Sequence, residues 1–475
     1  MKTSKTSTEK RRAAPLISLC VFIGVHIVMC IMNSCFLPAG KPWNIIFLGG
    51  EFALAGAAAV CCVIALVSSR RDAGGPAELR QLGERFRRPE FFLVLAWFVC
   101  SVAACFLAIG QGLGGLYHNG RYLFDLGASL VIAFPLGFYL GSENRRGLLH
   151  LVYDLLLLAF CLFIMYGFYR FFRGDFSFTA LFDRVYHMKR LRVRMGQNTN
   201  TTGCYSVFFL VMGIYRFASL KKGWKKALLI LALIPIGAAY AMTESRSAVV
   251  SGAVACGVLA GAAVYRRREK KDAATILLSL AVFALTAGAF IGVFYGVRRL
   301  LNLMQQRVIK HYAAKVPKKT ANPSGIIKED VAELGGRKDV WRSVILHVFK
   351  NPGLLLHGCT QSSTVMTVKA LIGKNYNTHN QFLEVLLAYG LPSMLLFLAW
   401  LIPVARNSIA LGLDSDAPDG SWMLPAVLLL LIVNNMAETM LVGRGHFVGG
   451  MFFLIAGYVC AMAPRKKKKS DPAGQ

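Results

Sequence analysis

Apolar stretches, each about long enough to cross a bilayer, recur twelve times along this 475-residue chain, and one polar segment of about eighty residues interrupts them between Val297 and Gln381. The stretches lie roughly at 15–37, 45–69, 91–113, 122–142, 148–172, 201–218, 227–242, 247–265, 273–297, 381–405, 422–443 and 445–463. A soluble chain of this length would not need such runs; 55% hydrophobic residues and a mean hydropathy of +0.51 point the same way. In lipid the runs must be helices, because each backbone polar group has to be satisfied within its own segment. The expectation is therefore an all-α, polytopic membrane protein with about 12 transmembrane helices. The first stretch follows a basic region and has no small-residue cleavage site after it, so it reads as a retained signal-anchor.

Basic residues set the orientation. Lys2, Lys5, Lys10, Arg11 and Arg12 precede the first span, and six Arg lie between Arg70 and Arg88. Five basic residues lie between Arg266 and Lys271, and Arg465 to Lys469 follows the last span. The positive-inside rule then puts both termini in the cytoplasm and the long loop outside. Four parts result: an N-terminal bundle (1–297), an extracytoplasmic loop (298–380), C-terminal membrane helices (381–464) and a basic cytoplasmic tail (465–475).

The loop is itself basic, with fourteen Lys and Arg against four Asp and Glu in 298–380. Segment 173–200 has six against two. An outer face of this charge suits an anionic partner such as a lipid diphosphate or acidic head groups; the plain alternative is solvated loop. Within the loop, Leu300, Leu301, Met304 and Val308 could prolong the ninth span. Trp341, Val344, Ile345 and Val348 mark one face of an amphipathic helix, and Asn351-Pro352-Gly353 ends it. A further weak helix is expected over Ser363–Ile372, and Lys315–Gly325 reads as a basic linker. Cys359 is the only cysteine in the loop, and no C-x-x-C pair points to zinc or thiol redox chemistry.

Among residues able to do chemistry, absences come first. The chain has no P-loop for ATP. Asp414-Ser415-Asp416 resembles a sugar-nucleotide D-x-D, but the following Ala417-Pro418-Asp419-Gly420 makes it a solvated turn. Arg246 sits in the very short link between the seventh and eighth spans. An arginine near membrane depth is usually retained for a partner, here an anion in a cavity; otherwise it reaches for head groups or pairs with Glu244. Arg337 and Arg342 add guanidinium forks suited to phosphate oxygens, against the reading of a solvated helix face. His379 lies where the loop re-enters the membrane, before Asn380 and one turn ahead of Glu384. A neutral imidazole there can take a proton from a hydroxyl.

At these residues the chain resembles the O-antigen ligase and polymerase family of membrane glycosyltransferases. The matching features are Ser245-Arg246-Ser247, Gly336-Arg337 with Trp341, Asn351-Pro352 with Gly358, and Thr378-His379-Asn380 opening a span that contains Gly390-Leu391-Pro392. The resemblance runs from about Asn198 to Gly390. It implies a type C glycosyltransferase-like fold in the plasma (inner) membrane, with its active face extracytoplasmic. The implied reaction moves a glycan from undecaprenyl diphosphate to a glycan or lipid-glycan acceptor, without metal or other cofactor. By the same resemblance His379 would activate the acceptor hydroxyl, while Arg246, Arg337 and, more weakly, Arg342 would hold the diphosphate. Asn198 and Asn200 fall at a polar entry to a span and receive no role. Membrane lipids are expected partners and nucleic acid is not. The rival readings are a repeat-unit polymerase of the same family and a non-enzymatic transporter of lipid-linked glycans, which would not need His379.

Overall fold

The structure is a computed structural model that describes residues 88–142, 145–172, 199–243, 245–313, 337–373, 376–417, 420–442 and 447–464. The expected spans at 15–37 and 45–69, Glu244, the Lys315–Gly325 linker and the 465–475 tail lie outside them. All regular elements among the described residues are helices. They are α1 (Pro89–Gly110), α2 (Leu116–Gly127), which passes through a π-helical stretch (Ala128–Ala133) into α3 (Phe134–Ser142), α4 (Arg146–Phe172), α5 (Thr199–Ser219), α6 (Gly223–Thr243) and α7 (Arg246–Arg267). Then follow α8 (Ala273–Ala313), α9 (Arg337–Lys350), α10 (Pro352–His357), α11 (Thr364–Ile372), α12 (Gln381–Leu413), α13 (Leu424–Asn435) and α14 (Phe447–Met462).

Ten of the twelve expected spans fall within the described residues, and a helix lies at each. Seven helical stretches are long and apolar enough to cross a membrane: Pro89–Gly110, His118–Ser142, Arg146–Tyr169, Gly223–Thr243, Arg246–Arg267, Ala273–Leu300 and Gln381–Leu413. The other three are α5, which has 21 residues but carries Asn200 and Arg216, and the shorter α13 and α14. Cys204 to Phe209 on α5 and Met451 to Cys460 on α14 are almost wholly buried, so much of their surface meets protein in place of lipid.

The core is built from aromatic and small residues. Trp97 of α1 stacks on Phe397 of α12, and Trp400 meets Phe134 edge-on beside Phe453. Helices α3 and α14 cross where Gly137 and Gly457 leave no room for a Cβ against the facing backbone, the close approach that small residues permit in membranes. At membrane depth Ser393 accepts from Trp97 Nε1 at 3.1 Å and lies 2.6 Å from the Ser101 hydroxyl, so these polar groups satisfy one another.

Helix α8 runs 41 residues. At ~1.5 Å per residue it is about twice the bilayer's hydrocarbon thickness, and the apolar part stops at Leu300. The helix thus runs on past its apolar part to Ala313, in line with the expectation that Leu300 and its neighbours prolong the ninth span. Two other expectations need correction. Ile345 is 39% exposed, and the buried face of α9 is Val340, Val344 and Val348, with Trp341 at its edge. The span expected at 422–443 is helical only to Asn435, after a 3-10 turn over Ser421–Met423; Met436 to Val442 are irregular.

Helix α12 is broken, and its break seats the loop. Gly390 adopts φ 79, ψ 177, a region essentially restricted to glycine, and Pro392 has no amide hydrogen. The carbonyls of Leu387 and Ala388, freed by this break, accept instead from the amides of Cys359 (2.8 Å) and Thr360 (3.0 Å). A Cβ at Gly358 would collide with the Ala388 backbone, and one at Gly390 with the Leu356 carbonyl. The segment after α10 is thus locked into the kink, with a small core of Val340, Val344, Val348, Cys359, Val368, Leu386 and Leu387 beneath it. Burial pushes the Cys359 thiol up to about 12, which makes it a packing group.

Candidate active site

Helix α9 begins with Arg337. Its three buried valines recur at helical spacing and press it onto the first turns of α12, and one turn after Arg337 the Trp341 indole donates to the carbonyl of Thr378 at 2.9 Å. The bond joins the helix of the arginine to the turn of the histidine. That turn is heavily constrained. His379 has φ +48, a conformation uncommon for any residue but glycine. Its amide donates to Asn377 Oδ1 at 3.1 Å, and the Asn377 amide group donates to Thr439 at 3.0 Å. Asn380 caps α12, accepting from the amides of Phe382 and Leu383.

Both groups meet at Glu438, in the irregular segment after α13. Arg337 Nη2 donates to Oε1 at 2.7 Å, and His379 Nδ1 lies 3.4 Å from Oε2. Asn200, in the first turn of α5, donates to Oε1 at 2.8 Å. Glu438 is 2% exposed, whereas Arg337 and His379 are 20% and 19% exposed, so the carboxylate is enclosed while the two cationic or basic groups keep part of their surface accessible. A carboxylate opposite Nδ1 makes that nitrogen the donor and leaves the lone pair on Nε2. With a neutral imidazole the Arg337–Glu438 pair is charge-balanced.

Irregular backbone this close to apolar helices must be satisfied by protein. Asn435 Oδ1 accepts from the amide of Met440 at 2.7 Å, and Gln381 Oε1 accepts from those of Leu441 and Val442. Asn380 Nδ2 reaches the Met436 carbonyl at 3.1 Å. The amide side chains of Gln381, Asn380 and Asn435 therefore build the shelf that presents Glu438.

Arg246 is the first residue of α7, after Ser245, whose hydroxyl caps the helix by accepting from Ala248. Ser245 packs against Gly203 of α5, one turn beyond Asn200, so Arg246 belongs to the same end of the bundle as Glu438. Its side chain is exposed and is not among the groups that meet at Glu438. Arg342 is exposed too, five residues along α9 from Arg337 and turned away from it. Asp414-Ser415-Asp416 forms the expected turn: the Asp414 side chain accepts from the amide of Asp416, and Arg266 donates to the Asp414 and Ser415 carbonyls.

The structure thus joins Arg337 to His379 and leaves Arg246 and Arg342 outside their contact. It adds Glu438, which sequence reasoning did not single out, and Asn200, which it noted without a role. A signal for Glu438 existed: an ionisable residue inside an apolar run is itself a site candidate. Counting 422–443 as a span concealed it.

No curated protein matches the chain. Residues 227–398 match a family model described as O-antigen ligase. The match takes in Arg246, Arg337 and His379, while Asn200 and Glu438 fall on either side of it. Over this segment of apolar helices and the polar loop between them, the chain is thus similar to the O-antigen ligase family.

Proposed function

We propose that this protein is a metal-independent transferase that moves a glycan from undecaprenyl diphosphate to an acceptor hydroxyl, on the outer face of the plasma membrane, in cell-surface polysaccharide biosynthesis. The observation that carries this reading is the meeting of Arg337 and His379 on one buried carboxylate, Glu438. His379 Nε2 takes the acceptor's hydroxyl proton as that oxygen bonds to the anomeric carbon of the donor sugar. The anomeric carbon–oxygen bond to the diphosphate breaks, and the leaving lipid diphosphate keeps the electron pair. Arg337, with Arg246 from the neighbouring helix end, neutralises the charge that develops; such preorganised cations act most strongly where water is excluded. Arg342 adds long-range positive charge at the rim. Glu438 holds the imidazole by Nδ1 and offsets the proton it gains.

The helix directions support the outer face. Lys221, Lys222, Lys225 and Lys226 link α5 to α6, and Arg266 to Lys271 link α7 to α8, all at the end of the helices opposite Asn200 and Arg246. Short basic links mark the cytoplasmic side.

Purified protein in liposomes, supplied with undecaprenyl-diphosphate glycans extracted from the native membrane and with candidate acceptors, tests the reading through product length. A single transferred chain identifies a ligase, and a ladder of repeats identifies the polymerase of the same family. Movement of intact donor across the bilayer with no change in its linkage would instead identify a transporter and overturn the proposal.

A further inference from the structure

Glu384 is fully buried in the first turn of α12. Its Oε2 accepts from the hydroxyl of Thr378 at 2.7 Å and from the Thr378 amide at 3.4 Å. Its Oε1 accepts from Gln361 Nε2 at 2.7 Å and from the Thr364 hydroxyl at 2.9 Å. We propose that Glu384 is a positioning residue for the transfer, fixing the peptide before His379 so that the imidazole stands between Glu438 and the incoming hydroxyl. The proposal rests on the catalytic reading of His379 above.

Two features separate this carboxylate from an ordinary buried polar group. With the Trp341 indole on its carbonyl, Thr378 is held at its amide, its hydroxyl and its carbonyl oxygen together. Among the described residues, moreover, two non-glycine residues have positive φ, Thr360 (φ 68) and His379 (φ 48). Each is next in sequence to a residue that Glu384 holds, Gln361 in one case and Thr378 in the other. Strained backbone of this kind persists only where its surroundings over-determine it. A buried carboxylate is an expensive way to join two segments that apolar packing could join, and its return here is two fixed turns, one of which carries the base.

The test uses the full-length protein in liposomes with the extracted native donor, in four forms: wild type, Glu384→Gln, His379→Ala and the double variant. Glu384→Gln keeps the shape but, whichever way its amide turns, leaves either Thr378 or Gln361 facing an NH2 group in place of an acceptor. It is expected to lower kcat about ten- to a hundredfold and to leave binding of undecaprenyl diphosphate within about twofold. In the double variant the loss should exceed that of His379→Ala by less than about twofold, because one variant acts through the other. A kcat within about twofold of wild type, or a loss that multiplies in full with that of His379→Ala, overturns the proposal. Should Glu384→Gln not fold, Thr378→Val reads the same link: its kcat should fall and Thr378→Ser should restore it, while an unchanged kcat in Thr378→Val counts against Glu384. Turnover retained in His379→Ala is a different result, which removes the catalytic reading itself and this inference with it.

Discussion

Glu438 accepts from three donors while almost wholly enclosed, and that geometry determines what its loss should do. Glu438→Gln keeps the volume but removes the anion that faces Nδ1 and balances Arg337. The imidazole can then settle in the wrong tautomer, and its protonated form loses its counter-charge. We expect kcat to fall about a hundredfold or more, with binding of undecaprenyl diphosphate changed far less, measured on the reconstituted protein. Asn200→Ala, which removes one neutral donor worth about 1 kcal/mol, should lower kcat by about fivefold. The cationic and basic members of the cluster were legible in the sequence because Arg337 and His379 stand at the two ends of a structured polar stretch. Glu438 was not, since its apolar neighbours dominate any average over the window that contains it. Asn200 was noticed only as a polar helix start; nothing local links position 200 to position 438.

At the scale of elements, the site depends on the broken α12 and on the α9 strut. Gly390→Ala would place a side chain at φ 79, ψ 177 and against the Leu356 carbonyl. The backbone conformation alone costs about 1–3 kcal/mol, and the collision adds to it, so the protein should melt well below wild type or fail to accumulate. Trp341→Phe keeps the packing of α9 but removes the indole donor. A lost bond of about 1 kcal/mol should reduce kcat severalfold while the melting temperature moves little, as followed by thermal unfolding in detergent. Helices α9 and α11 follow from the periodicity of the sequence, and the stop at Asn351 does too. What periodicity misses is tertiary. Pro392 and Gly390 signal a break, but only the folded chain reveals that Cys359 and Thr360 supply the amides that complete it. Ile345 shares the helical spacing of the buried valines yet turns outward.

For the whole molecule, the membrane architecture was the most legible feature, since long apolar runs permit only helices in lipid. The short, largely buried helices α13 and α14 mark the limit of that rule: a helix packed inside protein answers to its neighbours and not to bilayer thickness. The orientation can be checked directly. In inside-out and right-side-out vesicles, Arg342→Cys should react with a membrane-impermeant thiol reagent from the outer side, and Lys222→Cys from the cytoplasmic side. Buried Cys359, with its thiol pushed up to about 12, should add no background.

The central claim is that His379 performs the proton transfer beside an arginine that holds the diphosphate. The direct measurement compares His379→Ala with wild type in one liposome preparation, reading both the binding of undecaprenyl diphosphate and the rate of glycan transfer. General-base loss should cost about 10²- to 10⁴-fold in kcat while the lipid diphosphate binds as before. Transfer at the wild-type rate by His379→Ala would contradict the account.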